Sequence, residues 1–308
     1  MKRAWLPFLA VAAIAGLMVI ATFGRGARPV KDDAGKLRLV SLSPNITEIV
    51  FALGAGGSLV GVTNCCDYPP EAKKIACVGG YGTPNLETLL SLSPTLIIAG
   101  GNESQDDLNA LRHSGIRVLE PKTGNFRELF QAIGEIGNAV GRPRRAAEII
   151  AGMQAEFDAI AVRYRPVGGK RPPRVFVEVW HDPLTTAGGT SFIEEAVTRA
   201  GGVNVARDLR QPYPAISAEK VIEWNPDVIL VCYADEGAAT ASRIRNRIGW
   251  TGISAVREGR IISDLPLDSL LRPGPRLVEG VKLLADRLHH GAAAKDTGTP
   301  PSAAHAVP

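Results

Sequence analysis

Histidine and cysteine are scarce in this sequence, five and four residues among 308. Only His113 and His181 fall well inside the chain's globular body. That is too few for the His, Asp and Glu cluster that a zinc or manganese carrier needs. No Gly-x-Ser-x-Gly elbow, no Walker motif and no pair of metal ligands on one helix occurs, which removes the commonest hydrolase, nucleotidase and metalloenzyme signatures. Cys65 lacks a histidine nearby in sequence to activate it as a nucleophile. Scattered carboxylates are all that is left for acid–base chemistry, so an enzyme is the weaker reading. One-signed charge is also missing. Lys and Arg exceed Asp and Glu by only 35 to 31, and the excess gathers at the N-terminus and around Pro143-Arg144-Arg145. No basic stripe interleaved with aromatics is present, which argues against nucleic acid as a partner.

What the chain does have begins at its N-terminus. Lys2 and Arg3 precede an uncharged stretch from Ala4 to Phe23, and a positive end before an apolar run marks an export signal. The run is long enough to cross a bilayer once, so residues 1–36 are expected to be a signal peptide or a membrane anchor. Small residues would allow cleavage near Ala21 or Gly26. No cysteine closely follows the run, which speaks against a lipid anchor. The body is therefore expected outside the cytoplasm, in the periplasm or its equivalent, free or tethered by one helix. There a disulfide is permitted, and Cys65 or Cys66 with Cys77 would close a short loop; free thiols are an equal alternative. Residues 290–308, mostly Ala, Gly, Pro and small polar residues, read as a disordered tail.

Between these ends, short apolar strands alternate with amphipathic helices. Leu37 to Leu42, Leu59 to Val62, Thr95 to Ala99 and Ile116 to Leu119 read as strands. Helices start after Asn45, at Leu86 and at Leu108. That alternation predicts a parallel sheet covered on both faces. It restarts after Pro172-Pro173 with a strand at Val175 to Val179 and a helix at Phe192 to Ala200. One segment recurs. Asn85-Leu86-Glu87 through Pro94 to Ile98 and Ser217-Ala218-Glu219 through Pro226 to Leu230 both read cap, apolar residue, Glu, short helix, Pro, buried strand. From Pro143 to Tyr164, apolar residues Ile150, Met153, Phe157, Ile160 and Tyr164 recur at helical spacing. That is one helix of roughly 30 Å at 1.5 Å per residue. The predicted fold is α/β: lobes at 37–142 and 172–289 with mainly parallel sheets, joined by a long α-helix and linker at 143–171.

Several local motifs carry a resemblance. Leu42-Ser43-Pro44-Asn45-Ile46-Thr47-Glu48, Val60-Gly61-Val62-Thr63 with Cys66-Asp67-Tyr68-Pro69-Pro70, Asn85-Leu86-Glu87, and Arg272-Pro273-Gly274-Pro275-Arg276 resemble the cobalamin-binding branch of the class III periplasmic binding proteins. The likeness runs from Leu37 to His289. It implies an extracytoplasmic substrate-binding protein of an ABC importer, with a permease dimer and its ATPase subunits as partners. Such a protein would capture cobalamin or a related corrinoid between its two lobes and carry out no catalysis. Haem or a ferric siderophore would be the alternative cargo.

Ligands of open α/β sheets sit at the carboxyl ends of the strands. The residues expected there are Pro44, Cys65 and Tyr81 in the first lobe, and Trp180, Tyr213, Asp268 and Arg272 in the second. A corrinoid has wide apolar faces fringed by neutral amides, which aromatic walls with a few polar groups would suit. The resemblance places aromatics at Tyr81, Trp180 and Tyr213 and polar contacts at Asp268 and Arg272. Cys65 departs from it, because an aromatic is expected at that position. A catecholate siderophore would need several cations, whereas Arg272 and Arg210 are what the rim offers. Haem would take Tyr81, Tyr213 or His181 as an iron ligand. The resemblance also implies that Glu87 and Glu219, one per lobe, dock against the permease. A carboxylate in a first helical turn is favoured by the helix dipole in any case.

Overall fold

The computed structural model describes residues 36–166, 168–233 and 238–290. The N-terminal apolar stretch and the C-terminal tail beyond His290 lie outside them. Among the described residues no helix is long and apolar enough to cross a membrane. The chain divides into two compact units inside one helix, between Ala155 and Glu156, and the short stretch Arg272–Pro275 belongs with the first unit.

The first unit is built on a four-stranded parallel sheet. Its strands are β1 (Leu39–Ser41), β2 (Leu59–Val62), β5 (Leu96–Ile98) and β6 (Arg117–Leu119), in the order β2-β1-β5-β6. The two inner strands are buried on both faces, as unbroken apolar runs in a covered parallel sheet must be. Helices α1 (Pro44–Ala52), α2 (Leu86–Ser91), α3 (Gln105–His113) and α4 (Phe126–Ala139) alternate with them. Val40, Ile97, Leu89, Leu108 and Leu111 meet in one core. Before α2 a two-stranded hairpin, β3 (Gly79–Gly80) and β4 (Thr83–Pro84), is closed by Tyr81-Gly82.

Helix α5 (Pro143–Arg163) runs 21 residues and buries Met153, Phe157 and Ile160 of the stripe that the 3–4 spacing predicts, with Tyr164 buried just past its end and Ile150 half-buried. The second unit has a sheet ordered β11-β10-β7-β8, with β9 also on β7. Its strands are β7 (Arg174–His181), β8 (Leu184–Thr186), β9 (Val203–Asn204), β10 (Val228–Val231) and β11 (Ile261–Ile262). All pairings are parallel except β7 with β8. That antiparallel turn back is why β7 runs on through Trp180 and His181, two residues beyond the strand expected from its apolar run. Helices α6 (Phe192–Arg199), α7 (Ala218–Trp224), α8 (Ala238–Arg245), α9 (Ser254–Arg257), α10 (Leu267–Leu271) and α11 (Leu277–His290) complete it. In its core Phe176 meets Trp250 edge-on at 6.0 Å, beside Val221, Ile229 and Val231.

Candidate functional site

In the first unit the residues of interest cluster at the carboxyl ends of β1, β2 and β5. Ser43 caps α1 in extended conformation and Pro44 takes its first turn, where a missing N–H is harmless and a fixed φ helps. Tyr81 is the outer residue of the hairpin turn; Gly82 follows at φ +74°, a conformation open to glycine without strain. The turn holds the Tyr81 ring out, 46% exposed. Burial of the phenol side is the largest influence on its pKa and raises it; Ser43 and Asn102 pull the other way, while Glu103 and Cys65 add to the rise. The group is thus a neutral phenol at ordinary pH, with Ser43, Asn102 and Cys65 as neighbours.

The thiols of this unit are free. Cys66 is buried, its Sγ 3.1 Å from the Thr47 hydroxyl and 3.2 Å from that of Thr63, and burial pushes its pKa up. Cys65, half-buried, lies 3.3 Å from the same Thr63 hydroxyl. Cys77 is exposed.

Arg272 is engaged by acids of the first unit. Only 19% of its side chain is exposed. Its guanidinium donates to Asp67 at 2.6 Å and lies 3.8 Å from the buried carboxylate of Glu48. Asn45 adds a bond from its amide to the Pro273 carbonyl at 3.3 Å. Together these contacts hold residues 272–275 to the first unit. Burial works to raise the Asp67 pKa, yet the hydrogen bond and charge of Arg272 hold it below the usual carboxylate range. Stability from a depressed carboxylate is present above its unfolded pKa and fades as pH falls through the folded one. Arg272→Ala is expected to destabilise the protein by about 3 kcal/mol, because it removes a cation 3.8 Å from a buried carboxylate. Asp67→Asn should cost well under 1 kcal/mol, since solvent screens that pair. Urea denaturation of both variants checks the ordering.

In the second unit β7 delivers Trp180 and His181 to the carboxyl end of the sheet. Tyr233 follows β10 there. The three rings form one cluster: Trp180 meets Tyr233 edge-on at 5.7 Å, and His181 tilts against both at 5.0 and 5.6 Å. His181 is thereby packed as part of the wall. Beneath it lies a fully buried acid, Glu178. Arg247 grips it with two bonds of 2.8 and 3.0 Å, and the Tyr233 hydroxyl donates to it at 2.7 Å. Tyr213 stands between Pro212 and Pro214, whose carbonyls accept from the Gly188 and Thr186 amides at 2.9 and 3.1 Å. Those bonds fix the segment and leave the ring 48% exposed. Burial, with a smaller push from Cys232, raises its pKa too. Asp268 is exposed in the first turn of α10. Ala234 and Asp235, also expected at this end, lie outside the described residues.

Glu87 and Glu219 are both exposed in the first turns of α2 and α7. Asn85 and Ser217 cap the helices, accepting from the amides of Thr88 and Lys220. The bond of Glu219 to its own amide and that with Ser217 lower its pKa, so it stays charged. Glu178 and Arg247 could not be picked out from the sequence, where 69 positions separate them. A lone acid in an otherwise apolar strand, Val175-Phe176-Val177-Glu178-Val179, is the one signal that marks the former.

A family model described as "Periplasmic binding protein" matches residues 39–266. An ABC transporter substrate-binding lipoprotein of Bacillus subtilis, YvrC, is 33% identical over 257 residues, covering 82% of this chain and 80% of that one. A vitamin B12-binding protein of Salmonella paratyphi A is 35% identical over 196 residues, 63% of this chain and 71% of its own. Among solved structures, the periplasmic heme-binding protein RhuT of Roseiflexus sp. RS-1 superposes with a TM-score of 0.71 at 30% identity, over 83% of this chain and 99% of that one.

Proposed function

The chain belongs to the periplasmic binding protein family, the substrate-binding components of ABC importers, and from that premise we propose that its cargo is a corrinoid such as cobalamin. The observation that carries this reading is the character of the strand-end surfaces. Tyr81, Trp180 and Tyr213 stand 46%, 47% and 48% exposed, far above what large aromatics show in a core. Both tyrosines are held as neutral phenols. Neutral rings with hydroxyls at their edges suit a broad apolar macrocycle fringed by amides. Pro44 and Cys65 add small contacts in the first unit, and Asp268 a polar one in the second. The engagement of Arg272 with Asp67 and Glu48 leaves it poorly placed for a strongly anionic siderophore. A named vitamin B12-binding relative supports the corrinoid.

Haem is the second reading. It is favoured by the fold neighbour named for haem. Calorimetric titration of the exported protein with cyanocobalamin, haem and a ferric siderophore separates the readings. Stoichiometric binding of cobalamin alone is the expected result; heat from haem or siderophore with silence from cobalamin would leave the transport role and overturn the cargo. Delivery follows by docking of Glu87 and Glu219 against the permease dimer, which works with its own ATPase subunits.

A further inference from the structure

The two copies of the internal repeat share more than a glutamate. One position in each helix is fully buried, Leu89 in α2 and Val221 in α7, and fixes the helix on its sheet. The next position is left in solvent: Leu90 is 41% exposed and its repeat counterpart Ile222 is 39% exposed. Each lies three residues after the glutamate, on the same face of its helix. In the second unit the patch is wider. Ile248 is 94% exposed in a turn closed by Gly249 at φ +81°. That turn packs on Ile222, whose terminal methyl would lie 3.1 Å from a Cβ at position 249.

A single exposed aliphatic residue calls for no explanation. The same exposure at two repeat-related positions, each one turn from an acid, does. Neither Glu87 nor Glu219 has an ion-pair partner among the described residues, whereas the adjacent Lys220 is held by Glu223 at 2.9 Å. An apolar centre with an unpaired charge at its rim is how a docking patch is composed. A partner that reads both copies must itself present two like surfaces, each offering a cation beside an apolar hollow.

We propose that the contact with the permease dimer is bipartite in each unit: Glu87 with Leu90 in the first, Glu219 with Ile222 and Ile248 in the second. The aliphatic side chains seat in apolar hollows and supply the salt-independent part of the affinity. This rests on the docking reading of the two glutamates. The test uses the full chain and its own permease–ATPase complex in nanodiscs, with affinity measured at low and high salt. One variant carries Leu90→Ser, Ile222→Ser and Ile248→Ser, the other Glu87→Gln and Glu219→Gln. The aliphatic variant is expected to lose about tenfold or more in affinity at both salt levels, with thermal midpoint and cargo affinity unchanged. The glutamate variant should lose affinity chiefly at low salt, where charges are least screened. Wild-type affinity in the aliphatic variant beside a loss in the glutamate variant overturns this inference and keeps the docking reading. Wild-type affinity in both overturns the two together.

Discussion

Replacing Arg247 by alanine is expected to destabilise the second unit by about 3–5 kcal/mol, the largest effect of any single substitution considered for this chain. Glu178 is fully buried in the middle of β7. Its two oxygens take both Arg247 bonds and the Tyr233 bond. Without the guanidinium the carboxylate must remain charged in a poorly polarisable core or take up a proton, and both are unfavourable. Arg247 also lies 4.2 Å over the Trp250 ring, so its loss removes packing from the core's largest aromatic. The double variant Glu178→Gln, Arg247→Met is expected to recover much of the loss, because removing both charges leaves none stranded. Urea unfolding of the two singles and the double gives the coupling directly; additive losses would contradict it.

The same network makes a pH prediction. Burial, and then the hydrogen bond and charge of Glu178, push the Tyr233 pKa up to about 12. A group whose folded pKa is raised contributes stability that is complete below its unfolded value, about 10 for tyrosine, and is lost as pH climbs through the folded one. Stability should therefore fall between about pH 10 and 12, and Tyr233→Phe should flatten that fall.

How much of this was readable beforehand follows from the range of each interaction. The strands, the repeat and helix α5 rest on local periodicity, and their bounds moved by only a few residues. The exposure of Tyr81 was legible because glycines flank it and force a turn. The helix Phe126–Ala139 carries a readable local signal, an Asn125 cap followed by Phe126, Leu129, Ile133 and Ile136 at 3–4 spacing. By contrast, the Arg272 clamp joins residues 205 positions apart, and no local pattern encodes which acid a distant arginine meets. An arginine at a motif is readable as a polar group; whether it faces a ligand or a carboxylate is decided by packing.

Alanine at Trp180 is expected to weaken cobalamin binding by about thirtyfold. Roughly half of the indole is open to solvent, on the order of 100 Å², and covering about four-fifths of that area with a macrocycle is worth about 2 kcal/mol at 25 cal/mol per Å². Tyr81→Ala and Tyr213→Ala should cost about tenfold each, their rings being smaller. Trp180→Phe should restore most of the loss, because the contact needs an apolar face and no indole N–H bond is required. Tyr233 supports Trp180 edge-on at 5.7 Å, so Tyr233→Phe keeps the ring and should leave affinity near wild type, whereas Tyr233→Leu should not. Calorimetric titration of this series with cyanocobalamin distinguishes a stacking wall from a core aromatic. A stacking residue loses affinity with its thermal midpoint intact, and a core residue loses the midpoint first. If Trp180→Ala lowered the midpoint and left cobalamin affinity untouched, the second unit's aromatic cluster would be packing, and the case for a macrocyclic cargo would fall back on Tyr81 and Tyr213.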